Sequence, residues 1–179
     1  GSFSWANAGS AGGNSVFGSI TAAGGGRGTG PNPASPYPTA DDGGSGGGSG
    51  SDLAAGEGTA NQGYDGGNSG QYSGGGGGGA GEAAHTVDSD YPEREPGDGL
   101  NILIASRANA VTSSIGDTFG NVPSSAVYYA GGGHPLSGAG WADSPRSLGG
   151  GGVGLLNGTS YDSVIGAVGR VNSGGGGGG

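Results

Sequence analysis

Ser73-Gly74-Gly75-Gly76-Gly77-Gly78-Gly79-Ala80 decides how this chain is read. Six consecutive glycines have no side chains to pack, and glycine loses more backbone freedom on folding than any other residue. An ordered run of this kind has to be held by its own peptide groups. The extended polyglycine II helix meets that need, with three residues per turn, a rise of about 3.1 Å and no internal hydrogen bonds. Its N–H and C=O groups point sideways and must find partners on neighbouring segments or in water. Without Cβ atoms, neighbours come close enough for lateral amide bonds, and Cα–H···O contacts add a little.

Outward from this run, the glycines repeat in order. One set is Gly24 to Gly26, Gly46 to Gly48 and Gly74 to Gly79; the other is Gly131 to Gly133, Gly149 to Gly152 and Gly174 to Gly179. Run starts are separated by 22 and 28 residues in the first set and by 18 and 25 in the second. A short β-like segment introduces each, Val16-Phe17-Gly18-Ser19-Ile20-Thr21 and Ala126-Val127-Tyr128-Tyr129. This order reads as an internal duplication whose glycines hold structural positions. The glycines expected at helix contacts are Gly24, Gly25, Gly26, Gly46, Gly47, Gly48, Gly76, Gly77, Gly131, Gly132, Gly133, Gly150, Gly151, Gly176 and Gly177. The expected fold is mostly irregular: a bundle of polyglycine II helices joined by long loops, with a few short β-strands and little or no α-helix. Collagen is excluded because a strict Gly-X-Y period is absent.

Composition sets the remaining bounds. Glycine (52) and proline (9) make 61 of 179 residues, about 34%, while Leu, Ile, Val and Phe together number 24. That is too little for an ordinary hydrophobic core and would by itself signal disorder. There is no cysteine, hence no disulfide framework. Five arginines, no lysine and fourteen acidic residues give a net charge of −9, which argues against nucleic acid and anionic membranes as partners. No apolar stretch approaches the roughly 18 residues of a membrane span. A first residue other than Met and a last residue inside a glycine run predict a segment of a longer chain.

Three regions are expected within one packed unit. Residues 1–84 form a first glycine-rich lobe, 85–123 an acidic insert and 124–179 a second lobe. The insert holds a strand candidate, Leu100-Asn101-Ile102-Leu103-Ile104-Ala105, which reads equally as the start of a short helix running to Val111.

The stretch Asn7-Ala8-Gly9-Ser10-Ala11-Gly12-Gly13-Asn14-Ser15-Val16-Phe17-Gly18-Ser19-Ile20-Thr21-Ala22-Ala23-Gly24-Gly25-Gly26 resembles the opening of the glycine-rich domain of tail fibre and tail-tip adhesin proteins of tailed bacteriophages. Gly58-Thr59-Ala60-Asn61-Gln62-Gly63 and Gly66-Gly67-Asn68-Ser69-Gly70 follow in the same order. So do Ala126-Val127-Tyr128-Tyr129-Ala130-Gly131-Gly132-Gly133 and Leu148-Gly149-Gly150-Gly151-Gly152-Val153-Gly154. The chain departs from the pattern at His134-Pro135 and in the acidic Asp88-to-Asp98 segment. The resemblance implies packed polyglycine helices that present variable loops to a receptor on the host surface.

Catalytic patterns are missing. His85 and His134 are the two histidines and neither has metal-ligand spacing; a phosphate-cradling loop would need lysine. His85 with Asp88, Asp90, Glu93 and Glu95 reads either as an oxygen-rich cation site or, more simply, as a solvated acidic loop. Asn157-Gly158-Thr159 fits a turn better than a glycosylation acceptor. No enzyme activity, cofactor or metal is expected.

Specificity is expected from the segments between glycine runs, since a glycine bundle has a nearly featureless surface. Tyr37, Tyr64, Tyr72, Trp141 and Tyr161 lie there and are the candidate receptor contacts, Trp141 foremost, because Tyr and Trp give large contact area at low rotamer cost. Covering the glycine core is the competing role for each. Phe17, Tyr128 and Tyr129 directly precede glycine runs and are expected to pack. Two roles follow: a virion adhesin, extracellular on the phage tail, that binds a host surface glycan or outer-surface protein alongside other tail subunits, possibly as a homotrimer; or a purely structural segment of a fibre, filament or capsid decoration. An ice-binding helix bundle would need tripeptide periodicity and a flat face of repeated small residues, which the sequence lacks.

Overall fold

In a computed structural model of the chain, residues 10–29, 39–50, 53–69, 74–85, 95–102, 127–135 and 148–152 are described. The run 74–79 sits among four neighbours and meets each through its backbone. Gly75 and Gly78 donate to the carbonyls of Ser49 (2.7 Å) and Gly46 (3.0 Å). The carbonyls of Gly76 and Gly79 accept from Gly67 (2.8 Å) and Tyr64 (3.0 Å). Gly77 and Ala80 donate to Gly133 (3.0 Å) and Ala130 (2.9 Å), and the Gly77 carbonyl accepts from Gly97 (2.9 Å). Three of these neighbours are met twice, three residues apart. That interval is one turn of polyglycine II, so successive residues address different sides. None of residues 74–79 takes a positive φ, which gives the run a single hand.

The same interval recurs through the bundle. Gly26 and Thr29 donate to Ser45 and Gly48, Ala40 and Gly43 to Ala54 and Glu57, Gly46 and Ser49 to Tyr64 and Gly67, and Gly131 and His134 to Gly149 and Gly152. Glycine is needed where these rods touch. A Cβ on Gly78 would run into the carbonyls of Tyr64 and Asp65, and one on Gly76 would lie 2.7 Å from the Pro96 Cα. Among the described residues the buried apolar side chains are Ala40, Ala84 and Val127. The interior is built of peptide groups.

Regular structure is scarce and there is no helix among the described residues. Strands β1 (Ser15–Phe17) and β2 (Ile20–Ala22) form an antiparallel hairpin with Phe17 opposite Ile20. Gly18 opens its two-residue turn at φ +62°, the geometry glycine supplies in tight hairpins. Strands β3 (Leu100–Asn101) and β4 (Tyr128–Tyr129) pair antiparallel. Of the candidate strand 100–105, therefore, Leu100–Asn101 is strand, and residues 103–105 lie outside the described residues.

Segments from both glycine sets share this network, as Gly77 with Gly133 shows. Residues 95–99, read from sequence as part of the acidic insert, enter it too: Gly97 lies between Gly77 and Gly132. Tyr128 and Tyr129 are half-buried, as expected. Phe17 is not packed; it is 85% exposed. All six strand residues of the hairpin are exposed, and its base is held by Ala23 N–H on Gln62 Oε1 (2.6 Å) and Gly24 N–H on Asn14 Oδ1 (2.9 Å). Gly174 to Gly179, with Gly176 and Gly177, lie outside the described residues.

Candidate functional site

Hydrogen-bond register fixes the direction of every rod. With 74–79 taken as rising, its pairing with Ser49 then Gly46, with Gly67 then Tyr64, and with Gly133 then Ala130 makes 46–50, 63–69 and 127–135 descend. Residues 148–152 run parallel to 131–134 and descend as well. Residues 23–29 are parallel to 45–48 and descend. Residues 39–43 turn back on 46–50 through the Gly47–Asp41 bond and rise, as does the parallel 53–58. Residues 95–102 rise against 127–135.

The two ends of the bundle differ as a result. At the lower end the chain leaves and re-enters around 30–38, 51–52, 70–73 and 86–94, and departs again after Gly152. The flanking residues are tied together there: Gly50 N–H donates to Thr29 Oγ1 (3.0 Å), Ser69 N–H to Ser49 Oγ (2.8 Å), His85 N–H to the Glu95 carbonyl (3.0 Å) and His134 N–H to that of Gly152 (2.8 Å). An open cleft of about 320 Å³ lies at this end, lined by Leu53, Ala54, Asn68 and Ser69. Asn68 Oδ1 holds its wall by accepting from Ala55 N–H (2.9 Å). The upper end carries the β1–β2 hairpin and the short turns at 44–45, 59–62 and 80–82, with Asn61 at φ +65° in the second. The chain also leaves this end after Ile102, re-enters it at Val127 and re-enters it again at Leu148.

Tyr37, Tyr72, Trp141 and Tyr161 lie outside the described residues. The chain on both sides of Tyr37 and Tyr72 is at the lower end, and it departs from that end towards Tyr161. The segment holding Trp141 starts at the lower end after Pro135 and returns at the upper end at Leu148. Tyr64 is 49% exposed and belongs to the upper end, where its N–H bonds Gly79 and its carbonyl accepts from Gly46. At about 3.1 Å per residue, the run 74–79 separates Tyr64 from the lower end by roughly 15 Å. Tyr64 therefore lies at the end opposite the flanks of Tyr37 and Tyr72. Sequence reasoning did not find the lower-end cleft, although Asn68-Ser69 stood in a quoted motif.

Charged groups near the rods are few. Arg27 pairs with Asp41 at 2.6 Å across rods 23–29 and 39–43. His85 Nε2 lies 3.2 Å from Glu82 Oε1, in an exposed pair. His134 is buried, with Nδ1 2.9 Å from the Pro135 carbonyl and Nε2 without a partner among the described residues. Burial pushes the Asp98 carboxyl up; nearby Glu82 adds to this, while the Leu148 N–H (2.7 Å) and His85 oppose it. No group of three His, Asp or Glu side chains suited to a metal occurs among the described residues, and Asp88, Asp90 and Glu93 lie outside them. No described helix is long and apolar enough to cross a membrane.

Among the described residues, backbone-bonded glycine rods define a glycine-rich fold with little regular secondary structure. The chain belongs to the glycine-rich domain family, whose model matches residues 1–179. No curated protein and no solved structure matches it.

Proposed function

We propose that this chain is an adhesin segment of a bacteriophage tail fibre or tail tip that binds a host-surface glycan or outer-surface protein through its lower end. What supports this most is that the flanks of Tyr37 and of Tyr72, at Thr29 and Thr39 and at Ser69 and Gly74, end together at the lower end of the backbone-bonded rods. A core satisfied by its own peptide groups lets loop sequence vary without touching the fold. Tyr37 lies in the proline-rich stretch Pro31-Asn32-Pro33-Ala34-Ser35-Pro36-Tyr37-Pro38 and Tyr72 in a setting rich in Ser, Asn and Gly, the latter a composition suited to adaptable polar recognition.

Attachment of the purified protein to a panel of bacterial cells tests the proposal. Replacing Tyr37 and Tyr72 by Ala is expected to weaken attachment to a susceptible strain by about tenfold or more, roughly 1.4 kcal/mol. Trp141→Ala is expected to act in the same direction, as its segment starts at the lower end. Tyr64→Ala, at the opposite end, should leave attachment intact. A wild-type protein that attaches to no strain would leave the purely structural role.

A further inference from the structure

The upper end carries an apolar surface that the receptor-binding role does not use. Val16, Phe17 and Ile20 are 68, 85 and 68% exposed on a free-standing ribbon of three-residue strands. Phe17 and Ile20 form a cross-strand pair on one face, and Val16 projects from the other. Apolar side chains at such exposure mark an interaction site when they are contiguous. Phe17 and Ile20 together expose on the order of 300 Å², less than half of the roughly 800 Å² each partner contributes to a standard interface. Among the described residues, the surface around the ribbon's base that could supply the remainder is acidic. Gln62 ties the ribbon to the turn 59–62, beside which Asp42, Glu57 and Asp65 are all exposed. Asp42 Oδ1 accepts from Glu57 N–H and Asp65 Oδ1 from Gly58 N–H, both at 2.7 Å, so the carboxylates are fixed in place. The one arginine among the described residues, Arg27, is paired with Asp41.

This charge selects the occupant. A second copy of the chain would bring the same carboxylates together, and an anionic membrane would be repelled. We infer that the β1–β2 ribbon docks into an apolar pocket with an Arg- or Lys-rich rim on a different protein subunit of the same particle. Its place at the upper end leaves the flanks of Tyr37 and Tyr72 at the opposite end of the rods. The inference rests on the virion role proposed above.

The test is binding of the purified protein to particles assembled without it, alongside its attachment to cells. Wild type should bind the particles, more weakly in 0.5 M salt. The F17S/I20S variant should bind at least about tenfold more weakly, as expected for an aromatic anchor. Its thermal midpoint and its attachment to cells should be unchanged. The D42N/E57Q/D65N variant keeps hydrogen-bond acceptors in place; it should bind more weakly and lose most of the salt dependence. Equal particle binding by F17S/I20S, no particle binding by wild type, self-association abolished by F17S/I20S, or partition of wild type into zwitterionic phosphatidylcholine vesicles through the ribbon would each overturn the inference. Loss of cell attachment by wild type would instead strike the adhesin role.

Discussion

Gly77 and Gly78 are adjacent in one run, yet a methyl group added at each meets different surroundings. At Gly78 it is driven into the carbonyls of Tyr64 and Asp65, which are already engaged in backbone bonds and cannot move without breaking them. At Gly77 the nearest atom is Gly133 N at 3.3 Å, a tight contact that a shift of a few tenths of an ångström relieves. Gly78→Ala is therefore expected to destabilise by about 1–3 kcal/mol, the usual range for overpacking. Gly77→Ala should stay within about 1 kcal/mol of wild type, because the lost unfolded-chain entropy offsets mild crowding. Denaturant midpoints of the two variants check this; equal losses would remove the close-contact account. The sequence shows six equivalent glycines at 74–79. Which of them is indispensable depends on the neighbour, and no local pattern encodes that.

Among the elements, the short rod 95–99 departs furthest from the sequence reading. Pro96-Gly97-Asp98-Gly99 holds two separated glycines inside an acidic stretch, so it carries none of the run signal that marked 74–79 or 131–133. Its place is revealed by Gly97, wedged between Gly77 and Gly132, and by Asp98. The Asp98 carbonyl accepts from Gly81 and Glu82, and its side chain accepts from Leu148, so one residue joins three segments. Burial raises its carboxyl above the ordinary value. The folded state then holds this proton to higher pH than the unfolded chain, and the stability linked to it is full in acid. It is lost as pH rises from about 4 through the folded-state titration. Asp98→Asn retains an acceptor for Leu148 and should flatten that decline, measured as thermal midpoint against pH; an undiminished decline would assign it to another carboxylate. From sequence, Val16 to Thr21 reads as one β-like segment; the structure breaks it at Gly18-Ser19 into the β1–β2 hairpin. The exposure of Phe17 was not legible, since an aromatic beside a glycine run packs only if a rod passes beneath it.

At the scale of the molecule, the interior is made of peptide groups rather than apolar side chains, and this has a calorimetric consequence. Exposing apolar surface raises the heat capacity of unfolding while exposing polar surface lowers it, netting about 12–15 cal/mol/K per residue in ordinary domains. With Ala40, Ala84 and Val127 as the buried apolar side chains among the described residues, this chain is expected to fall below about half that value per residue. Scanning calorimetry decides it, and an ordinary value would mean that a conventional core exists. The sequence by itself determined the building unit: runs without Cβ atoms, with a three-residue turn and lateral bonding, follow from glycine chemistry alone. It did not separate loops from rods: 39–43, 53–58 and 63–69 lie between the glycine runs, yet they are rods of the bundle. Tertiary structure decided which way each rod points, and with it which loops share an end. A threefold glycine helix offers donors and acceptors around its whole circumference and accepts parallel and antiparallel neighbours alike, as 46–50 does with 64–67 and 75–78. Direction is therefore set by the lengths of the connections and the closing of the bundle as a whole, which is why Tyr64 and the flanks of Tyr72, eight positions apart in sequence, stand at opposite ends.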